Sequence, residues 1–246
     1  MKNYISKLTL LFVVLATVGL TSCKKSETPE PTVTPQLAKV VFWNPSTGTE
    51  SLSAEFIYDT KGTMTSLIYG GTTYTVAFDS SNKLASLTGT LKQGLIVTYT
   101  IEYSSAGQLV KVVYADGGTN ANTKTITYNA AGKISKIGIV YTNTAITPYN
   151  AEYTWNGDNL ATASSGTYIT TYTTYDDKLN PYSLADGISV VFYGNPASKN
   201  NVTEIKTLNG TLTNAQKRTY EYNSAGYATS MKLLDGSNEG QKYYYR

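Results

Sequence analysis

The chain has 246 residues, of which 20 are Lys or Arg, 17 are Asp or Glu and none is His, so its formal net charge is +3. The absence of histidine excludes Ser-His-Asp and Cys-His catalysis and imidazole metal ligands. A single cysteine excludes an internal disulfide and a site built from several thiolates. We therefore predict no cofactor and no metal.

The first 22 residues have the pattern of a removable export signal. Lys2 and Lys7 form a short positive region, which a mostly apolar stretch follows over residues 8–19. Such a stretch suits a signal peptide but is too short to cross a bilayer, which takes about 20 residues. Leu20-Thr21-Ser22-Cys23 then matches the lipobox of bacterial lipoproteins. We predict cleavage before Cys23 and lipid attachment to its thiol.

Residues 23–36 are predicted to be a lipidated, flexible tether. The segment holds three of the seven prolines and no aromatic residue, which is typical of a solvated linker. Removing residues 1–22 lowers the formal charge from +3 to +1, so the mature chain has no electrostatic basis for binding nucleic acid. The predicted partner is the outer membrane, on either its periplasmic or its surface side.

From Leu37 onward the sequence favours β-strands, and we predict no amphipathic helix there. Apolar residues occupy every second position, for example Val97, Tyr99 and Ile101. A period of two with one apolar face is typical of half-buried strands in an antiparallel sheet.

A recurring phrase ends these strands: an aromatic residue, then Asp, Asn or Ser, two further residues, Gly or Asn, any residue, and usually an apolar one. The phrase begins at Tyr58, Phe78, Tyr103, Tyr128 and Tyr222, and a version one residue shorter begins at Trp155. Asp or Asn starts a turn by bonding nearby backbone, and Gly or Asn supplies the positive φ that closes it. Each phrase therefore predicts a hairpin whose aromatic ring packs inward on the apolar residue beyond the turn.

Two strands per repeat predict roughly 14–17 strands over residues 37–246 with short connections. An open twisted sheet rarely exceeds about 10 strands. We therefore predict an all-β, antiparallel up-and-down meander of hairpin repeats, strongly curved and closing into a barrel-like body. A two-sheet sandwich is the structural alternative. A transmembrane barrel is less favoured, because spanning strands need about 9–11 residues.

Three stretches in the C-terminal half carry a resemblance to a known family. They are residues 175–182 (YDDKLNPY), 199–205 (KNNVTEI) and 220–227 (YEYNSAGY). In this order, after a lipobox and repeated hairpins, they resemble a lipoprotein family of Bacteroidota, a domain of unknown function with a porin-like β fold. The hairpin phrase also resembles, more weakly, the YD repeats of Rhs-type proteins. The family resemblance implies a β-rich envelope lipoprotein and transfers no catalytic residue.

The carboxylates show no catalytic pattern. Asp176 and Asp177 are adjacent, so on a strand they face opposite ways and do not flank one glycosidic bond together. We interpret them as turn residues before Asn180-Pro181. The glycine pairs at 70–71 and 117–118 lack the helix and Lys-Ser/Thr of a phosphate loop, and we interpret them as hairpin turns.

Tyrosine is the compositional outlier, with 22 copies. Most copies fall at the inward position of the repeat, where they fill a shallow interior. Five aromatic residues lie off the clearest repeats and are the better candidates for a patch that stacks on a ligand: Trp43, Tyr141, Tyr149, Tyr168 and Tyr182.

The leading functional hypothesis is a non-enzymatic, membrane-anchored β domain that binds a glycan or a protein partner at the cell envelope. The alternative is a structural accessory module of an outer-membrane complex. A carboxylate-dependent glycan hydrolase is the second alternative, and it requires two acids about 5–10 Å apart in a cleft.

Overall fold

The computed structural model describes residues 35–118, 120–185 and 187–246. The predicted export signal, Cys23 and most of the predicted tether therefore lie outside the described residues. The described chain forms 16 strands: β1 Leu37–Trp43, β2 Glu50–Tyr58, β3 Met64–Tyr69, β4 Thr72–Phe78, β5 Leu84–Thr90, β6 Ile96–Tyr103, β7 Leu109–Ala115, β8 Asn122–Tyr128, β9 Ile134–Tyr141, β10 Tyr149–Asn156, β11 Asn159–Ser165, β12 Tyr168–Leu179, β13 Asn200–Asn209, β14 Leu212–Tyr222, β15 Ala228–Leu233 and β16 Gly240–Tyr245.

The strands form one closed barrel. Every strand pairs antiparallel with its neighbours in the chain, and β16 pairs with β1. At this seam, Gln36 and Arg246 exchange two backbone hydrogen bonds of 3.0 and 3.2 Å. The predicted all-β meander and its closure are thus confirmed, and the sandwich alternative does not apply.

The hairpin phrases gather at one end of the barrel, which we call the belt end: β1 begins there and β16 ends there. Each aromatic residue lies opposite the apolar residue that follows its turn, as in the pairs Tyr103–Leu109 and Tyr128–Ile134. The turn itself has the predicted chemistry, because the Asn129 carboxamide oxygen accepts from the backbone N–H groups of Ala131 and Lys133.

A ring of eight strand pairs surrounds the belt end, and we call it the aromatic belt. Its apolar members are Leu37, Met64, Leu84, Leu109, Ile134, Leu160, Val202 and Ala228. Seven of these apolar residues accept a hydrogen bond on their backbone oxygen from an aromatic side chain: Tyr58, Tyr103, Tyr128, Trp155, Tyr175, Tyr220 and Tyr245 donate them. The rings therefore tie the strand ends together as well as fill the interior.

The inward faces of the strands form the core. Leu67, Leu87, Val97 and Val112 are fully buried, and half-buried aromatic rings pack on them. This alternation is what a period of two predicts for strands with one buried face.

The connection between β12 and β13 differs from the prediction of short connections throughout. Residues 180–199 contain a 3₁₀ turn, Pro181–Leu184, and a short helix, α1 Ile188–Tyr193. Ile188, Val190 and Val191 of this helix are buried as part of the core inside the barrel. We call residues 180–199 the plug segment, of which Asp186 lies outside the described residues. Its helix is too short and too rich in β-branched residues to be recognised as a helix from the sequence pattern.

No helix among the residues that the structure describes is both long enough and apolar enough to cross a membrane.

Candidate functional site

The plug segment is held inside the barrel by contacts on both sides of α1. Phe192 packs among Tyr69, Tyr74 and Tyr99, with ring centroids 4.5 to 5.5 Å apart. The Tyr153 hydroxyl donates to the Gly194 carbonyl oxygen at 2.6 Å. These contacts fix the helix against the walls formed by β3, β4, β6 and β10.

A buried lysine caps the C-terminal end of α1. The Lys124 Nζ donates to the carbonyl oxygens of Val191 and Val190, the latter at 3.4 Å. A cation at a helix C-terminus meets the negative end of the helix dipole and carbonyls that lack helical partners. Burial nevertheless lowers the pKa of Lys124 to about 8.

The base of the plug segment is tied to the belt end. The Ser198 hydroxyl oxygen accepts from the Leu160 N–H at 3.0 Å, and the Asn180 side chain donates to the Ser198 carbonyl oxygen at 3.1 Å. The plug segment is thereby anchored at its base and at its helix, and it leaves open space beside it.

This space is a cavity of about 410 Å³ between the plug segment and the barrel wall, and we call it the lumen cavity. It is lined by Phe42, Leu160, Tyr172, Asn180, Tyr182, Ser189, Asn195, Pro196, Ala197, Ser198, Asn200, Val202, Arg218 and Gln241. Its volume lies within the range of about 300–1,000 Å³ that ligand pockets occupy. Phe42 is 54% exposed, so the cavity is open to solvent at this residue.

The lining combines aromatic faces with uncharged polar groups and one cation. Phe42, Tyr172 and Tyr182 supply rings, whereas Ser189, Asn195 and Gln241 supply hydroxyl and amide groups. The Tyr182 hydroxyl donates to the Gln241 Oε1 at 3.3 Å, and the Tyr182 ring packs edge-on against Tyr243 at 6.2 Å. The ring and the amide are therefore positioned before any ligand arrives.

The tyrosine hydroxyls around this cavity are neutral. Burial raises the pKa of Tyr182 to about 12 and raises the pKa of Tyr172, while the nearby Arg218 cation opposes both shifts. At neutral pH these groups therefore act as hydrogen-bond donors and acceptors and not as phenolates.

A second cavity of about 370 Å³ lies at the belt end, on the other side of the plug segment. Tyr103, Tyr128, Trp155 and Lys133 line it from the strand side. Four plug residues line both cavities: Tyr182, Ser189, Pro196 and Ala197. The plug segment therefore has two lined cavities on its flanks.

The five predicted ligand-binding aromatics do not form one patch. Tyr182 lines both cavities of the plug segment. Tyr149 pairs with the buried Ile139, which places it on the inward face near the mouth opposite the belt end. Tyr141 is close enough to contribute to the raised pKa of Tyr149, which arises first from burial.

The other two candidates lie apart from this group. Tyr168 lines a separate cleft with β13 and β14. Trp43 lies in a cleft with Glu50 and Glu239, where the Lys242 Nζ stands 4.8 Å from its ring centroid. Sequence analysis did not single out four residues that line the lumen cavity, because each occupies an ordinary position in the alternating pattern of a strand: Phe42, Tyr172, Arg218 and Gln241.

The Asp176-Asp177 pair makes the predicted local bond but lies at a different place in the fold: the Lys178 N–H donates to the Asp176 Oδ1 at 3.0 Å. Asp176 and Asp177 lie within β12 and not in a turn after it, at an irregularity in the pairing with β13. Asp176 accepts hydrogen bonds from the Tyr222 hydroxyl and from the side chain of the buried Asn201 at 3.2 Å. This carboxylate is thus used to hold the belt end together.

The Trp43 cleft contains two carboxylates, those of Glu50 and Glu239. The Lys242 Nζ lies 2.6 Å from Glu50, and this hydrogen bond lowers the pKa of Glu50. A general acid for glycoside hydrolysis needs a raised pKa. Over residues 35–118, 120–185 and 187–246, no group of three or more acidic side chains is arranged to hold a metal ion.

Comparison with solved structures shows that the fold of this chain is similar to that of porin-like proteins. A porin-like protein from Bacteroides uniformis superposes with a TM-score of 0.57 at 14% identity, covering 85% of this chain and 98% of that one. A porin-like protein from Bacteroides vulgatus gives 0.55 at 16% identity, covering 86% and 99%. No protein-family profile and no curated protein sequence matches the chain. The fold part of the predicted resemblance is thus supported, and the lipoprotein and YD-repeat parts stay predictions.

Proposed function

We propose that this protein is a cell-envelope lipoprotein whose lumen cavity binds a glycan without catalysing a reaction on it. The observation that carries the proposal is the lining of that cavity, in which rings and uncharged polar groups face one space. Aromatic faces pack on the apolar faces of sugar rings, and hydroxyl and amide side chains bond sugar hydroxyls. A concave site beside a fixed plug segment suits a small ligand or a chain end better than a flat protein surface.

The anchoring part of the proposal rests on the lipobox. A lipid on Cys23 holds the protein at the outer membrane, since each buried methylene adds about 0.8 kcal/mol. Intact mass spectrometry of the membrane fraction tests this. We expect a mass gain of lipid on Cys23 and its loss in Cys23→Ser. An unmodified cysteine in the membrane fraction would contradict anchoring and leave the cavity proposal standing.

The glycan part is tested with a glycan array, followed by titration of the best binder. We expect Tyr182→Ala and Phe42→Ala to weaken affinity about 3- to 10-fold, because each removes one stacking face. Phe42 is largely exposed, so its truncation leaves the core intact.

The matched control is Ile96→Ala, which removes an apolar side chain that is 65% exposed on the outside of the barrel. It should leave affinity unchanged. Failure to bind any glycan, or equal losses in all three variants, would refute the glycan proposal.

A second function, as a structural module of an outer-membrane complex, is favoured by a separate observation. Exposed apolar residues concentrate at the mouth opposite the belt end: Leu52, Leu95, Ile96, Val140, Ile169, Leu208, Leu212 and Leu234. Concentrated apolar exposure marks interaction surfaces. Cross-linking in intact cells from a label at Leu212 should then capture an integral membrane protein, and a label at Thr60 on the belt end should not.

A further inference from the structure

We infer that the lumen cavity recognises a carboxylate on its ligand through Arg218, so that the glycan bound there is an acidic sugar. This inference rests on the proposed function and names the class of glycan. It is carried by the position of one cation among aromatic and neutral polar groups.

Among the residues that the structure describes, Arg218 is the only charged one that lines the lumen cavity. Its Nε and Nη2 donate to the Gln216 Oε1 at 3.3 and 2.9 Å. The described residues give the guanidinium no carboxylate within 4.0 Å, and the six ion pairs of the described chain use other groups. The Asp235 carboxylate is hydrogen-bonded by Gln216 and by Ser237.

The surroundings of Arg218 make its charge effective. The Arg218 cation lies close enough to five tyrosine hydroxyls to oppose part of the rise in pKa that burial causes in each of them: Tyr172, Tyr175, Tyr182, Tyr220 and Tyr243. A charge among half-buried rings is screened less than a charge in bulk water. A ligand that brings the opposite charge into this space therefore gains more than it would at the outer surface.

The geometry matches a carboxylate in particular. Guanidinium N–H groups form paired bonds to the two oxygens of a planar carboxylate, and Gln216 uses only part of the fork. A phosphate monoester carries close to two negative charges at neutral pH, whereas the described lining of the cavity supplies one positive charge, that of Arg218. The amide oxygens of Asn195 and Gln241 already accept from tyrosine hydroxyls, and their side-chain N–H groups can donate to the sugar hydroxyls.

The test is calorimetric titration of the full-length protein in detergent with digalacturonic acid and with its neutral analogue, galactobiose. Charge-assisted hydrogen bonds predict at least about 10-fold tighter binding of the acid. Arg218→Gln should remove this preference, and Arg218→Lys should keep part of it. Lys92→Gln, which removes one positive charge from an exposed turn, should have no effect.

The outcomes separate the inference from the proposed function. Equal affinity for the two disaccharides, or an acid preference that survives in a folded Arg218→Gln, overturns the carboxylate inference and leaves glycan binding standing. Absence of binding by either sugar, together with an empty glycan array, overturns both. Displacement of digalacturonic acid by millimolar inorganic phosphate would show a general anion site and also overturn the carboxylate inference.

Discussion

At the scale of single residues, the aromatic belt explains why the repeat phrase begins with tyrosine more often than with phenylalanine. The Tyr128 hydroxyl donates to the Leu109 carbonyl oxygen at 2.9 Å, and the Trp155 Nε1 donates to the Ile134 carbonyl oxygen at 2.7 Å. These carbonyls belong to the first residues of β7 and β9, which begin at the belt end. Buried backbone acceptors need such partners.

Two substitutions of Tyr128 separate the contribution of its ring to stability from that of its hydroxyl. We expect Tyr128→Phe to lower the free energy of unfolding by about 1 kcal/mol, the net contribution of one hydrogen bond. Tyr128→Ala should lower it by about 2–4 kcal/mol, because the half-buried ring also leaves a cavity. Urea unfolding followed by circular dichroism measures both.

The reciprocal change provides the control. Phe78 occupies a belt position and has no donor, and Met64 is the one belt carbonyl that receives no ring hydrogen bond among the described residues. Phe78→Tyr should therefore maintain or raise stability. A Tyr128→Phe variant as stable as the natural protein would show that the belt acts through packing alone.

At the scale of elements, the hairpins were predictable and the plug segment was not. The phrase from Tyr103 to Leu109 encodes its turn locally, since Ser104 and Gly107 stand where turn chemistry needs them. The helix α1 depends on distant partners such as Lys124 and Tyr153. Local sequence cannot specify a helix that is held by residues about 40 and 66 positions away.

The candidate site follows the same division. Tyr182 stood out because it lies outside the repeats, and it does line the lumen cavity. Arg218 lies on β14 between two residues that point outward, so its sequence position resembles that of any solvated strand residue. Only closure of the barrel makes its side of the strand an interior one.

The Lys124 cap predicts a pH dependence. Its pKa is about 8 in the folded protein, against 10.5 ordinarily, so between these values the unfolded chain binds more protons and stability rises with pH. Below about pH 8 the burial penalty is present in full. We expect the natural protein to gain stability relative to Lys124→Met as pH rises from 8 to 10.

The stability of the natural protein is compared with that of Lys124→Met because the buried tyrosines change stability with pH in the opposite direction to Lys124. Their pKa values are raised on folding, as for Tyr182, so they remove stability above about pH 10, where unfolded tyrosine ionises. Both variants share this effect. A stability difference that stays constant from pH 7 to 10 would argue against a charged Lys124 inside the folded barrel.

At the scale of the whole molecule, closure depends on the seam between β1 and β16. Gly240 permits this approach: a Cβ there would lie 2.5 Å from the Met231 carbonyl oxygen and 3.0 Å from the Trp43 ring. Gly240 begins β16, which pairs with β15 on one side and with β1 on the other. Seam packing is therefore expected to govern the stability of the entire barrel.

We expect Gly240→Ala to lower the free energy of unfolding by about 1–3 kcal/mol, the usual cost of inserting a methyl group into a packed site. Differential scanning calorimetry measures the loss. Gly118→Ala is the matched control, because the nearest atom to its added Cβ would be 3.5 Å away. Equal melting temperatures for the two variants would show that the seam tolerates separation.

Because Gln36 and Arg246 are hydrogen-bonded neighbours, the sequence order of the sixteen strands is nearly circular. A short covalent bridge between these two positions, with a new opening at the Gly210–Thr211 tip, would leave every strand pairing in place. Circular permutants that begin at other exposed hairpin turns should likewise form the same barrel and enclose the same interior. The pairing of neighbouring strands, and not the point at which β1 begins, therefore defines the architecture of this barrel.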